Sequence, residues 1–295
     1  MIKLIVSDMD GTLFNSNQEI SPFNLAAIKQ ATKNGVHFMI ATGRSMVTIR
    51  PILEKYSLEC GLILMNGAEI RDEKLNIINT LNIDNNVISR LTKELEGMGY
   101  IPEYMVEDGA YLCGTEKMME KNMAWRMMCL DRTHSMTFEE AKKAGRGSIF
   151  QNHLTRFDSL NDMLNQQIEV RKVIVFSPDT EKNSRNRLIL QEKFPELAIL
   201  SSYPENIEIN HYLAQKGSGL MQAIKNLGIQ PEEVAVFGDG FNDISLFELF
   251  EHSYAPANAE STIKMMASEV IPSNNDDGVG IKINELLFQN KLQKQ

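Results

Sequence analysis

The chain is poor in the residues that mark disulfide scaffolds and zinc sites. Cysteine occurs only at Cys60, Cys113 and Cys129 in 295 residues, an odd number, widely spaced and with no CxxC pair. That argues against disulfides or zinc and for reduced thiols with buried, structural roles in a cytosol. The five histidines show no spacing suggestive of a metal, and none is assigned to catalysis. Positive charge is scarce as well: 30 Lys and Arg stand against 39 Asp and Glu, a net charge of −9. Nucleic acid and an anionic membrane are therefore excluded as main partners, because either would repel most of the surface. A small anionic substrate in a locally positive pocket is not excluded. No apolar run approaches the roughly 20 residues of a membrane span, and the N-terminus enters a strand directly without a signal peptide. Internal repeats and low-complexity tracts are missing too. These absences point to a cytoplasmic protein and say nothing of its oligomeric state.

What is present is an ordinary globular composition, 43% hydrophobic and 23% charged, over a length at which one core can split into two. The informative stretch is residues 3–13, KLIVSDMDGTL. A short apolar run ending in a turn signal reads as a buried strand, which puts Asp8 and Asp10 where the strand runs out. Residues two apart in an extended segment share a side, so both carboxylates can face one site while Met9 packs behind. Gly11 lets the chain turn away sharply, having no Cβ to forbid a positive φ.

Alternation of elements then sets the domains. Helix 21–35 has Ser21 as its cap and Pro22 in its first turn, and strand 36–40 ends at Ala41-Thr42-Gly43-Arg44. Helix 45–55 and strand 62–65, ending at Asn66-Gly67, complete a parallel α/β half, followed by a polar ribbon over 71–80. From residue 83 the pattern changes to helix 85–98, a hairpin over 101–113 and a Met-rich helix 116–130. Its Met118, Met119, Met123, Met127 and Met128 read as adaptable core packing or as a mobile surface. A helix at 138–144, a strand near Ser148, helix 159–167, strand 170–176, helix 179–194 and strands 198–202 and 207–210 follow. From residue 211 the α/β pattern returns. Lys216-Gly217-Ser218-Gly219 precedes a helix, strand 234–237 ends at Gly238-Asp239-Gly240-Phe241-Asn242-Asp243, and helix 243–250 and two short strands follow. A polar turn at 274–278, a short helix 283–288 and a frayed Lys/Gln tail close the chain. The expected architecture is α/β: a Rossmann-like parallel sheet formed by residues 1–82 and 211–295, with an α+β domain inserted at 83–210.

Four strands thus end in chemistry, at Asp8/Asp10, Thr42/Gly43, Asn66 and Asp239/Asn242/Asp243, and a parallel sheet places all four ends on one edge, where open α/β sheets bind ligands. Lys216 can reach that edge. So many carboxylates in one place repel each other unless a cation holds them. Oxygen-only donors without His or Cys suit Mg²⁺, with Asp8, Asp239 and Asp243 joined by a backbone carbonyl, water and a substrate oxygen. Thr42, Lys216 and backbone amides beside them are what a phosphate requires.

Asp8-Met9-Asp10-Gly11-Thr12-Leu13, Ala41-Thr42-Gly43-Arg44, Lys216-Gly217 and Gly238-Asp239-Gly240-Phe241-Asn242-Asp243 together resemble the haloacid dehalogenase superfamily of phosphatases. More closely they are similar to its Cof-type branch, with a large α/β cap after the third core strand, and residues 273–279 resemble a further Cof-type turn. The resemblance implies an Mg²⁺-dependent phosphatase of small phosphomonoesters, sugar phosphates or related metabolites. In it Asp8 attacks phosphorus and Asp10 is the general acid and base. Thr42, Gly43, Lys216 and Asn242 hold or neutralise the phosphate, and Asp8, Asp10, Asp239 and Asp243 are the metal candidates. A cap swinging between open and closed states is expected. A phosphohexomutase and a non-catalytic phosphosugar-binding regulator stand as alternatives. Arg44 either binds substrate or pairs with a neighbouring carboxylate; Asn66 lines the site or caps its turn; Asn274 and Asp277 support the metal from outside or form a turn packed under it. Glu103, Tyr104 and Tyr111 face substrate or, by default, pack within strands.

Overall fold

The computed structural model describes residues 1–131, 133 and 135–293. The chain divides into two compact units, one of Met1–Arg44, Ile52–Thr80 and Ala214–Gln295, the other of Ser45–Pro51 and Leu81–Leu213. Among the described residues no helix is long and apolar enough to cross a membrane.

In chain order the first elements are β1 (Leu4–Ser7), α1 (Pro22–Lys33), β2 (His37–Ala41), α2 (Met46–Tyr56), β3 (Gly61–Leu64), β4 (Glu69–Arg71) and β5 (Ile77–Thr80). The middle of the chain holds α3 (Asn85–Gly97), β6 (Glu103–Val106), β7 (Gly109–Cys113), α4 (Glu116–Leu130), α5 (Phe138–Gly145) and α6 (Ile149–Asn152). It continues through β8 (Leu154–Phe157), α7 (Leu160–Leu164), β9 (Lys172–Phe176), α8 (Thr180–Lys193), β10 (Leu197–Leu200) and β11 (Asn206–His211). The last third carries α9 (Lys216–Leu227), β12 (Val234–Phe237), α10 (Ile244–Leu249), β13 (His252–Pro256), α11 (Ser261–Met266), β14 (Glu269–Ile271) and α12 (Gly278–Leu292).

The first unit is an eight-stranded Rossmann-like sheet in the order β14-β13-β12-β1-β2-β3-β4-β5. Its strands from β14 to β3 are parallel, and β4 and β5 extend it antiparallel. The central strands are buried on both faces, so they read as continuous apolar runs without alternation. Leu4, Val6, Met39, Val234 and Val236 pack with Leu220, Ile224, Leu246 and Phe247 of α9 and α10 in one core.

The second unit is a six-stranded sheet in the order β10-β11-β9-β6-β7-β8, antiparallel except for β7 beside β8. Register puts Tyr104, Val173, Ile209 and Ile199 on one face, in an apolar core with Ile88, Leu91 and Leu95 of α3 and Leu190 of α8. Tyr104 belongs to that core and hydrogen-bonds Thr92, and Tyr111 meets Phe157 edge-on, so both take the packing role. Glu103 lies on the opposite face, ion-paired with Arg126. Of the methionine stripe, Met123 is buried, and Met118, Met119, Met127 and Met128 are half-buried.

Several elements depart from the sequence reading. Near Ser148 the chain makes a turn of helix, not a strand, because the Ser148 hydroxyl accepts the Gln151 N–H and caps it. The helix expected over 159–167 stops at Leu164, with Gln167 at φ 55° beyond it. Strand β3 ends one residue early because Met65 and Asn66 both turn to positive φ, 49° and 60°. Lys216 does not precede its helix but opens it. The final helix runs from Gly278 to Leu292, far longer than 283–288. Its glycines signal close approach, not a loop: a Cβ on Gly278 would lie 1.9 Å from the Pro272 carbonyl oxygen, and one on Gly280 would lie 2.6 Å from Asn24 Oδ1. Of the frayed tail, Lys294 and Gln295 lie outside the described residues, as does His134 among the histidines.

Candidate active site

Strand register builds the site. Ser7 of β1 pairs with Phe237 of β12 on one side and with Ile40 of β2 on the other, all parallel. The next residues, Asp8, Gly238-Asp239 and Ala41-Thr42, therefore emerge at one level, although more than two hundred positions separate Asp8 from Asp239 in the chain. Asp8 continues the ladder, its N–H donating to Phe237 O at 2.9 Å. Beyond it Gly11 sits at φ 88°, and a Cβ there would lie 2.3 Å from Asp239 Oδ2. Only glycine permits both the turn and that approach. Thr12 then donates its hydroxyl to Asp239 Oδ1 at 2.6 Å.

Oxygens of Asp8, Asp239 and Asp243 all lie within 4.8 Å of one another. Lys216 is fully buried and donates to Asp8 Oδ1 at 2.6 Å and Asp243 Oδ1 at 2.7 Å. The second oxygen of Asp243 accepts the backbone N–H groups of Asp239 and Gly240, both at 3.0 Å. Helix α9 delivers Lys216 by packing tightly on α10: a Cβ on Gly217 would lie 2.1 Å from the Ser245 carbonyl oxygen, and the Gly217 N–H donates to Ser245 Oγ at 3.0 Å.

Burial pushes the Asp8 carboxyl well above the usual carboxylate range; Lys216 pulls it back, and Asp243, Asp239 and Asp10 push it further up. Burial and the Asp243 charge raise Asp239 to about 7, against the Thr12 hydrogen bond. Burial works to lower Lys216, but the charges of Asp243 and Asp8 prevail and raise it, so it stays an ammonium. Two like charges at that separation repel by roughly 3–4 kcal/mol at an effective dielectric of about 20. One ammonium cannot neutralise three carboxylates, and its hydrogen bonds go to Asp8 and Asp243. The donor set thus fits a hard, oxygen-seeking cation beside Asp8 and Asp239. Among the described residues it is the only group of this kind.

Asp10, expected with the metal candidates, is placed differently. Both of its carboxylate oxygens accept from Arg44, Oδ2 from Nε at 2.7 Å and Oδ1 from a terminal nitrogen at 2.5 Å, and it stands apart from the triad. A bidentate guanidinium outcompetes a shared site among like charges. Thr42 is buried and its Oγ accepts the Arg44 N–H at 3.2 Å, which leaves its own O–H able to donate. Gly43 lies between them on the same loop. The buried Asn66 donates its N–H to Thr42 O at 3.0 Å and accepts from Asn242 Nδ2 at 3.4 Å, tying three strand-end loops together.

Asn274 lies in the turn before α12 and is held from two sides. Its side chain donates to Phe14 O at 2.8 Å and its N–H to Asn258 Oδ1 at 2.9 Å. Asn258 in turn donates to Gly11 O at 2.8 Å, bracing the loop that follows Asp8. Asp277 accepts from Ser21 Oγ, the cap of α1. Asn258 escaped the sequence reading because it follows a short strand in a plain Ala-Asn-Ala setting. Thr12 was visible in its motif, but only the fold reveals its partner.

Aspartates and a lysine thus stand together at the carboxyl edge of a parallel sheet in an α/β fold. The family model described as haloacid dehalogenase-like hydrolase matches residues 5–283. The chain belongs to that family, as a phosphatase of its Cof-type branch. It is 29% identical over 282 residues to the 5-amino-6-(5-phospho-D-ribitylamino)uracil phosphatase YcsE of Bacillus subtilis, covering 94% of this chain and 93% of that one. It is 28% identical over 299 residues to phosphatase YwpJ of the same organism, covering 97% and 100%. A solved haloacid dehalogenase-like hydrolase from B. subtilis superposes with a TM-score of 0.81 at 26% identity, over 97% of this chain and 100% of that one.

Proposed function

We propose that the protein hydrolyses small phosphomonoesters, sugar or polyol phosphates, through an aspartyl phosphate on Asp8. The observation that carries the reading is the buried Asp8 carboxylate, hydrogen-bonded to Lys216 and clustered with Asp239 and Asp243. In the first step an Asp8 oxygen bonds to phosphorus while the ester P–O bond breaks, and Asp10 gives a proton to the leaving oxygen. In the second, water bonds to phosphorus as the acyl phosphate opens, and Asp10 takes the water's proton. Lys216 holds Asp8 and offsets its repulsion from the incoming phosphate. The Thr42 hydroxyl, the Gly43 amide and Asn242 bind phosphate oxygens. Asp8, Asp239 and Asp243 are the residues that would hold Mg²⁺, which supplies charge neutralisation at the phosphoryl group.

These residues recognise only phosphate, so the choice among esters is left to side chains outside this set. A polyol phosphate fits the substrate for which YcsE is named, whose phosphate sits on a ribityl chain. The three buried cysteine thiols suit a reducing cytoplasm. Asp8→Asn tests the mechanism: with Mg²⁺ and an aryl phosphate it should lose turnover by at least about 10⁴-fold while its circular dichroism stays native. Retained hydrolysis removes the covalent route.

A further inference from the structure

Arg44 is the charged group of this edge to which the proposed mechanism gives no task. Its guanidinium is clamped on three sides: it grips both oxygens of Asp10, donates to Gln18 Oε1 at 3.0 Å, and lies 5.4 Å from the centroid of the Phe14 ring. Its main chain is pinned too, the N–H on Thr42 Oγ and the carbonyl accepting the Met65 N–H at 3.0 Å. Gln18 reaches its place from a residue at φ 59°, a left-handed position that a long polar side chain rarely takes. Asp10 itself, at φ −79° and ψ 111°, interrupts the irregular turn after β1. The pair is partly buried, with side chains 27% and 20% exposed.

We propose that Arg44 is a positioning residue that aims the Asp10 carboxyl group for proton transfer to the leaving oxygen, and that phosphate binding is left to its neighbours. A planar fork fixes both the position and the plane of a carboxyl group, which a lysine's single ammonium does not. Each Asp10 oxygen keeps a lone pair beyond the one Arg44 takes, so the grip orients the group without consuming it. Misplacement by about 1 Å can cost 10²-fold in rate, and a carboxyl group on a glycine-flanked turn has ample freedom to be misplaced. The inference rests on Asp10 acting as the acid in the proposed mechanism.

The test compares kcat/KM for phenyl phosphate and p-nitrophenyl phosphate, with Mg²⁺, in the wild-type protein and in Arg44→Ala, Asp10→Asn and the double variant. The two esters have nearly the same shape. Phenolate, about as basic as a tyrosinate (pKa about 10), needs a proton as it leaves, and nitrophenolate does not. Arg44→Ala should lower the phenyl ester by about tenfold or more and the nitrophenyl ester by less than about threefold. The double variant should be no worse than Asp10→Asn alone. Arg44→Lys, which keeps the charge and loses the fork, should fall between wild type and Arg44→Ala. Equal losses on both esters, or additive losses in the double variant, would overturn the inference, because a phosphate ligand or a loop prop behaves that way. If Asp10→Asn itself treats the esters alike, the acid role fails and the inference with it; a selective Asp10→Asn beside an unselective Arg44→Ala defeats the inference alone.

Discussion

Each unit of this chain buries charge, and the two do so differently. On the second unit's sheet, Glu103 pairs with Arg126, and Lys172, 1% exposed, lies 2.9 Å from Glu208. Each charge there has an opposite partner. At the carboxyl edge of the first unit's sheet, three clustered aspartates have one lysine among them, bonded to two of the three. Opposite charges in equal number are a way of closing a polar sheet face. An acidic excess that burial makes worse has no such use; a proton, as on Asp239 below about pH 7, or a cation relieves it. The same physics therefore separates charge that organises a fold from charge that organises a reaction.

The largest effect that sharpens the contrast is Asp8→Asn, with activity lost and fold kept. Next is Glu208→Gln, which leaves Lys172 facing a neutral amide: unfolding should become easier by about 3–5 kcal/mol in denaturant titrations, the usual penalty for breaking a buried pair. Asp239→Asn should do the reverse in chelator. It removes a repelled carboxylate and raises metal-free stability by about 1–2 kcal/mol, discounted because Asp239 is partly exposed. A variant as destabilised as Glu208→Gln would make the two regions alike and break the comparison.

The smallest effect is a drift with pH. Asp239 is raised to about 7 in the folded chain against a reference of 3.8. Between those values the folded state holds more proton than the unfolded one, so stability falls as pH rises; the Asp239 share of the fall is complete above about 7, and the raised Asp8 carboxyl adds to it. Metal-free protein melted from pH 4 to 8 should show this fall, and Mg²⁺ should suppress it, since binding needs the ionised carboxylates. A rise across the same window would contradict the assignment.

Most of this edge could be read from the chain, because strands that end in chemistry announce both facts at once. An apolar run fixes where Asp8 and Asp239 emerge, and parallel pairing needs only the alternation of helices and strands. What stayed hidden was decided by contacts across the fold. Arg44 had two open uses until its fork was seen on Asp10. Asn258 has no local signature, and its role exists only through Gly11 and Asn274. Helix α12 opens five residues before the predicted 283–288 because Gly278, which ends a polar turn in the sequence, presses against the Pro272 carbonyl. Ser148 was misread because a cap and a strand start look alike when the following helix is one turn long.

The most direct measurement is a calorimetric titration of Mg²⁺ into the metal-free protein and into Asp239→Asn, without substrate. The account predicts one site per chain in the wild type, bound more tightly as pH rises from 6 to 8, and lost in the variant. Binding of equal strength in both, or none in either, would contradict the claim that an unbalanced carboxylate cluster is a cation site.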